Sequence, residues 1–382
     1  MGSHHADPAT LRAMDPERLH RESLVVDGHT DLPTRLFYRP ADVAEHLEDG
    51  HVDLPRLREG GVNAVVTALF VPPVLDPEEG WEHALDLWRG LEAQLRPGGL
   101  ELAVRASQVR AAAARGAVAA ILGLENGRPL VLPGTLDECA RMGVRYVTLT
   151  HVGSHEWCDA STDEALHGGL STEGVELVRR MNALGILADV SHVSDDAVRH
   201  VLEVAPLPPV ASHSSARTLC DHPRNLPDEL IREIARRGGV VMANSYPAFL
   251  DPAADRANRE IMGHLKGLYA EVEELPAGER RAALPELRVK LREVMAGHTL
   301  PQVGLEVLVD HVLHLVELAG EEHVGVGTDF DGIPETLKGF ADVSELPNLT
   351  EALLARGLDP QAVRLILGES FLRLLERAER AA

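Results

Sequence analysis

The stretch VVDGHTD, Val25 to Asp31, leads from β-favouring apolar residues into an imidazole and a carboxylate with one residue between them. In an extended segment residues i and i+2 face the same side, so His29 and Asp31 converge on one point. A convergent imidazole and carboxylate suit a divalent metal. The plainer alternative is an aspartate that caps the following turn beside a surface histidine. A single short motif does not separate the two, and the rest of the chain has to decide.

Similar runs recur along the chain: SLVVD, NAVVTALF, VAAILGLE, RYVTLTH, GILADVSH, PPVASH, GVVMANS and HVGVGTD, eight in all. Helical patterns lie between them. STEGVELVRRMNALG opens on Ser171 and Thr172, closes on Gly185 and carries Val175, Leu177, Val178 and Met181 as its apolar stripe. PDELIREIARRGG starts with Pro227 and acids and ends on basic residues and Gly238, and SDDAVRHVLEVA begins with a capping Ser-Asp-Asp.

Strands that alternate with helices predict a parallel sheet, because parallel neighbours need crossovers. The expected fold is α/β, a (β/α)8 TIM-type barrel. A doubly wound open sheet is the alternative, and the absence of a G-x-G-x-x-G turn after the first strand speaks against it. Residues from about 250 to 303 are charged and helix-prone and interrupt the alternation between strands seven and eight. They read as a helical insertion over the barrel mouth, a subunit contact or a solvated appendage. No linker or repeat divides the chain, so residues 1–382 are expected to form one domain, with 1–20 as an N-terminal tail.

Sixty acids against 37 basic residues give a net charge of −23, which disfavours nucleic acid and anionic membranes as partners. Aromatics make up 3% of the chain, so the core should be aliphatic. Cys139, Cys158 and Cys220 are too few and scattered for a disulfide framework or a thiolate zinc site, and are expected to be free thiols in a cytoplasmic protein. The start has no apolar signal segment, the tail has no hydrophobic anchor, and no run is long enough to span a membrane.

The polar residues are placed unevenly. His29 and Asp31 follow the first strand, Glu125 the third, His151 the fourth, His192 the fifth, His213 the sixth and Asp329 the eighth. In a closed barrel these strand ends share one face, where active sites are built. Imidazole and carboxylate without thiolate fit Zn²⁺, with Mn²⁺, Co²⁺ or Fe²⁺ as alternatives. His29, Asp31, Glu125, His192 and His213 exceed one catalytic zinc's needs, and two ions bridged by Glu125 would use them all. His311 and His314 share a helix face without a second cluster. His20, His46, His51, His83, His200 and His264 are expected to be exposed.

Taken in order, VVDGHTD, GLENG, YVTLTH, LADVSHVS, ASHSSAR, PRNLPDELI and HVGVGTDFDG resemble the membrane (renal) dipeptidase family, the M19 dinuclear zinc peptidases of the amidohydrolase superfamily. The resemblance runs from about Leu24 to the C-terminal helices. It implies a dipeptidase, often a homodimer, that cleaves dipeptides with a free C-terminal carboxylate, including a D-residue there; the signal peptide, lipid anchor and disulfides of mammalian members are not expected here, so the chain looks like a soluble bacterial-type member. By position it implies that His29, Asp31 and Glu125 bind one zinc and that Glu125, His192 and His213 bind the other. Asp329 would handle the proton of the hydrolytic water, His151 would lie near the scissile carbonyl, and Arg224 would hold the substrate carboxylate.

Each assignment has a competitor. Arg224 could pair with Asp228, His151 could be a core histidine, and Asp331 rivals Asp329. Asn126 stands where a Gly-like residue is expected, and Ser370 where Asn is usual. An N-acyl-amino-acid deacylase or lactonase on the same barrel commonly carries H-x-H on strand one and a carboxylated lysine bridge, which His-Thr-Asp and Glu125 replace here. A metal-binding barrel without catalysis would be expected to lack Asp329 or a ligand.

Overall fold

The computed structural model describes residues 15–381. Its eight barrel strands are β1 (Val26–Thr30), β2 (Ala64–Phe70), β4 (Val118–Glu125), β5 (Val144–Thr148), β6 (Leu187–Asp189), β7 (Val210–Ala211), β8 (Val240–Ala243) and β9 (Val324–Val326), in that order and all parallel. Strand β3 (Leu100–Leu102) lies off this path and pairs only with β4. Its three residues were not anticipated from the sequence, because so short a segment carries almost no periodic signal.

Closure between β9 and β1 rests on a few specific bonds. Asp31 N–H donates to Phe330 O at 2.8 Å, and Asp329 N–H donates to His29 O at 3.0 Å. Behind them the buried Asp27 carboxylate accepts from Thr328 N–H at 2.9 Å and from Thr328 Oγ1 at 2.6 Å. An acid inside an apolar strand is rare unless paired, and Asp27 is the residue of VVDGHTD that ties the first strand to the last. Burial pushes its carboxyl up to about 6 against those donors.

The helices follow their sequence signals. Thr172–Ala183 and Asp195–Val204 are capped by the Ser171 and Ser194 hydroxyls, and Asp228–Arg236 begins after Pro227. The core is mainly Leu, Val, Ile and Ala, with Trp157, Tyr146, Phe330, Phe340 and Phe371 as its fully buried aromatic residues among those described.

Helices Pro252–Glu273 and Arg280–Ala296 lie between β8 and β9. This hairpin leaves the C-terminal end of β8 and docks on the loop that follows β2. Val272, Leu284 and Leu287 pack there against Val74 and Leu75, Arg280 Nη1 donates to Val74 O at 3.2 Å, and Arg281 N–H donates to Glu79 Oε1 at 3.0 Å. The hairpin therefore sits on the face where the strand ends meet. No helix among the described residues is long and apolar enough to cross a membrane.

Two expectations need correction. Residues 1–14 of the anticipated tail lie outside the described residues, but Pro16–Glu22 is a helix capped by Asp15, and Leu19 and His20 on it are buried. Of the histidines expected to be exposed, His20 and His83 are buried and His51 and His200 are half-buried. His20 bridges Thr350 Oγ1 at 2.6 Å and Gly60 O at 2.8 Å, and His83 is fully enclosed beside the Phe37 ring. His20 sits on the inward face of the seven-residue helix Pro16–Glu22 and His83 on that of the longer helix Pro77–Glu92, and the inward face outweighs a polar sequence context.

Candidate metal centre

Glu125, the last residue of β4, is buried at the barrel mouth with its two oxygens turned to different neighbours. Oε2 lies 3.5 Å from His29 Nε2. Oε1 lies 3.1 Å from His192 Nε2, 3.5 Å from His213 Nε2 and 3.8 Å from His151 Nε2. Asp31 Oδ2 is 3.8 Å from His29 Nε2. Three overlapping sets form in this way: His29, Glu125 and His213; Glu125, His151 and His192; and His29, Asp31 and Asp329, each with ligand atoms within 4.8 Å of one another. All the strand-end groups anticipated from sequence meet here.

Asp31 answers the ambiguity of VVDGHTD. It occupies the N-cap position of helix Leu32–Tyr38 but makes no side-chain cap bond, so its carboxylate is free to turn toward His29. The extended conformation ends at Thr30. The convergence comes from the turn that the Phe330 carbonyl fixes, and not from continued strand alternation.

Backbone strain is concentrated at the same place. The non-glycine residues with positive φ among those described are Asn126 (72°), His192 (69°), Asp329 (65°) and Asp331 (69°). Each costs about 1–3 kcal/mol, and such residues cluster at functional sites. This explains Asn126, because asparagine tolerates the left-handed region that otherwise favours glycine. Its amide donates to Val71 O at 2.9 Å. Ser370 is also satisfied, donating to Glu321 O at 3.0 Å.

Neighbouring groups set the imidazole tautomers. Tyr146 OH donates to Gly28 O at 3.0 Å and so accepts from His29 Nδ1 at 2.8 Å. That leaves His29 Nε2 facing two carboxylates with no hydrogen-bond partner among the described residues. Ser212 Oγ donates to Asp189 Oδ2 at 2.6 Å and accepts from His213 Nδ1 at 2.7 Å, which turns the His213 Nε2 lone pair into the cluster. There it lies 2.8 Å from His192 Nε2. Lone pairs converging on carboxylate oxygens are what a cation requires, so the donor set fits a metal ion. Tyr146 and Asp189 were missed in the sequence, although a buried acid within LADVSH was the available signal.

The electrostatics agree. Burial pushes Glu125 up to about 7, helped by Asp31 and Asp329 and opposed by His29. Burial also disfavours a charged His29, but Tyr146, Glu125 and Asp31 outweigh it and hold that imidazole well above its usual value. Burial, Arg224 and neighbouring imidazoles keep His192 and His213 well below theirs. His151 falls to about 3 through burial, Arg224 and His29, and its ring meets Phe70 edge-on with centroids 4.8 Å apart.

The competitors are otherwise engaged. Asp228 accepts from Thr218 Oγ1 at 2.8 Å and faces His314 Nε2 at 3.1 Å, not Arg224. His311 is held by Ala216 N–H and Leu250 O. Asp331 is clipped to His51, accepting from its N–H at 2.6 Å. Arg224 is buried and makes no ion pair within 4.0 Å among the described residues. Its Nη2 donates to His213 O at 3.2 Å, its Nη1 reaches Ser214 Oγ at 3.5 Å, and its guanidinium lies 5.2 Å from the Phe249 ring centroid. The loop from His155 to Gly169 is gathered by Asp159, which accepts from the N–H groups of Leu166, His167 and Gly169, and is tied to the site by Ser161 N–H donating to His192 O at 2.7 Å.

Comparison with known proteins adds independent information. The family model for membrane dipeptidase (Peptidase family M19) matches residues 14–382. The chain is 31% identical over 375 residues to dipeptidase tcpJ of Claviceps purpurea, a match covering 93% of this chain and 77% of that protein. The crystal structure of the probable dipeptidase PvdM from Pseudomonas aeruginosa superposes with a TM-score of 0.82 at 27% identity, over 98% of this chain and 100% of that one. A metallo peptidase from Rhodobacter sphaeroides, liganded with a phosphinate mimic of the dipeptide L-Ala-D-Ala, superposes with a TM-score of 0.73 at 26% identity, over 94% of this chain and 100% of that one.

Proposed function

This chain belongs to the membrane dipeptidase family, Peptidase family M19, and is a metallo-dipeptidase; from that premise we propose that it is a dinuclear zinc enzyme cleaving dipeptides that carry a free C-terminal carboxylate, L-Xaa-D-Xaa dipeptides included. The observation that carries this reading is a buried guanidinium, Arg224, without an ionic partner among the described residues, beside an imidazole cluster gathered around the Glu125 carboxylate. The liganded relative with the L-Ala-D-Ala mimic supports the stereochemical part.

His29, Asp31 and Glu125 would hold one ion, and Glu125, His192 and His213 the other. Bound divalent metal supplies Lewis acidity toward the scissile carbonyl and acidifies water. The rest of the work falls to the chain's own groups. Arg224 pairs with the substrate carboxylate, bidentately where its planar fork allows, and this selects short substrates with a free C-terminus. His151 is neutral at working pH and donates a hydrogen bond to the oxygen on which charge develops. Asp329 takes the proton of the attacking water and delivers it to the leaving amine. Burial, reinforced by Asp31, pushes its carboxyl up to about 6, and bound cations act in the opposite direction. The buried, unpaired thiols of Cys139, Cys158 and Cys220 support a cytoplasmic location.

Asp329→Asn tests the reading. It is expected to retain metal and lose turnover by about 10²–10⁴-fold on a panel of L,L- and L,D-dipeptides. Normal turnover would overturn the assigned proton path.

A further inference from the structure

Strand β8 brings none of the anticipated groups to the mouth, yet its end carries Asn244, fully buried in the run GVVMANS. Its amide orientation is forced. Oδ1 accepts from Tyr246 N–H at 2.6 Å, so the NH₂ group must point the other way. There it donates to Asp329 Oδ2 at 2.9 Å and reaches His213 O at 3.4 Å. No other side-chain bond is made to the Asp329 carboxylate among the described residues. Oδ2 is thus occupied, while Oδ1 makes no hydrogen bond among the described residues and shares the space over Gly332 with Asp31 Oδ2.

The same turn is held from outside the barrel. Tyr246 OH donates to Asn258 Oδ1 at 2.9 Å, and the buried Asn258 belongs to the first helix of the hairpin between β8 and β9. Asp329 itself has a left-handed backbone with its N–H committed to β1. Its side chain therefore needs a second anchor to choose one direction. A carboxylate free to rotate would present either oxygen, or swing onto the cations that the site would hold. The geometry points to Asn244 as the positioning residue of the proton carrier: it keeps one Asp329 oxygen as a hydrogen-bond acceptor and aims the other at the reacting water. This inference rests on the reading of Asp329 as proton carrier. It gives the seventh barrel strand a part in catalysis, and gives the hairpin one through Asn258 and Tyr246.

Asn244→Ala and the near-isosteric Asn244→Asp separate positioning from packing. Both lose the amide donor, but only the alanine loses the volume. Steady-state kinetics on an L,L- and an L,D-dipeptide, metal content and thermal unfolding are measured for each. The expectation is a fall in kcat of about 30- to 100-fold for Asn244→Ala with KM within about threefold of wild type, as for a group displaced by roughly an ångström. Metal content should be unchanged. Asn244→Asp should be impaired at least as much, because a carboxylate then faces a carboxylate. A purely structural role predicts the reverse order, with Asn244→Asp near wild type, and that result overturns the inference. So does retained kcat in Asn244→Ala. Wild-type protein without turnover on any dipeptide would overturn the functional reading and this inference with it. Normal wild-type turnover with an unaffected Asn244→Ala overturns this inference alone.

Discussion

Replacing Arg224 by methionine should separate stability from activity. Arg224 is 4% exposed, and burial pulls its pKa well down, to about 10, although Asp329, Glu125 and Asp189 oppose the shift. At about 1.4 kcal/mol per unit, burial costs the charged form roughly 3 kcal/mol. A base depressed in this way is destabilising at every pH below its folded value, so the cost is present throughout the working range and bound cations would add to it. Against it stand two charged hydrogen bonds of modest geometry, together about 2 kcal/mol, and the contact with Phe249, about 0.5–1 kcal/mol. These nearly cancel, so Arg224→Met, which keeps the aliphatic stem, should move Tm by no more than about 3 °C. Activity should behave differently. Truncating one partner of a buried charge pair costs about 2–5 kcal/mol, or roughly 30- to 3,000-fold in kcat/KM. The assay compares a dipeptide with its C-terminal amide on both proteins. Wild type should discriminate strongly between them, and Arg224→Met should barely do so. A Tm drop of about 10 °C or more with carboxylate discrimination intact would make Arg224 a structural residue and refute the reasoning.

Three further outcomes are expected. Tyr146→Phe removes the acceptor of His29 Nδ1 and should weaken metal binding by about 10- to 100-fold in competition with a chromophoric chelator; unchanged affinity would count against that role. In Gly332→Ala the new methyl would collide with Asp31 Oδ2 and lie 2.7 Å from Asp329 Oδ1, so turnover should fall by about 100-fold with little loss of Tm, and full activity would show that the two carboxylates tolerate displacement. His83 has neither ring nitrogen bonded among the described residues, and burial, with Arg281, pushes its pKa down to about 4. Its neutral form is favoured in the fold, so stability is complete above the usual 6.5 and is lost as pH falls toward 4, by up to about 3 kcal/mol. His83→Leu should therefore raise stability by about 1–3 kcal/mol at neutral pH and by more at pH ~5 in denaturant titrations; a loss at both would contradict this.

The barrel was legible because parallel strands covered on both faces read as unbroken apolar runs: VAAILGLE and NAVVTALF became β4 and β2, and β4 ends at the mouth on Glu125. The same logic found His29, Asp31, Glu125, His151, His192, His213 and Asp329. What escaped depends on registers that a single chain position does not display. Tyr146 sits opposite Gly123 across β4 and β5, and only that pairing carries its hydroxyl to His29. Asn244, inside the run GVVMANS, carried no signal of its own, and only β8 lying beside β9 brings its amide to Asp329. His20 and His83 were misjudged because local polarity says little about which face of a helix turns inward. The role of Asp27 as the link between first and last strand required closure to be known first.

The most direct test of the central claim is the metal content of purified protein alongside Glu125→Ala. If Glu125 joins two ions, wild type should carry close to two zinc equivalents per chain, and Glu125→Ala should fall to one or fewer with loss of turnover. A wild type saturating at one equivalent, with Glu125→Ala binding it equally well, would contradict the account.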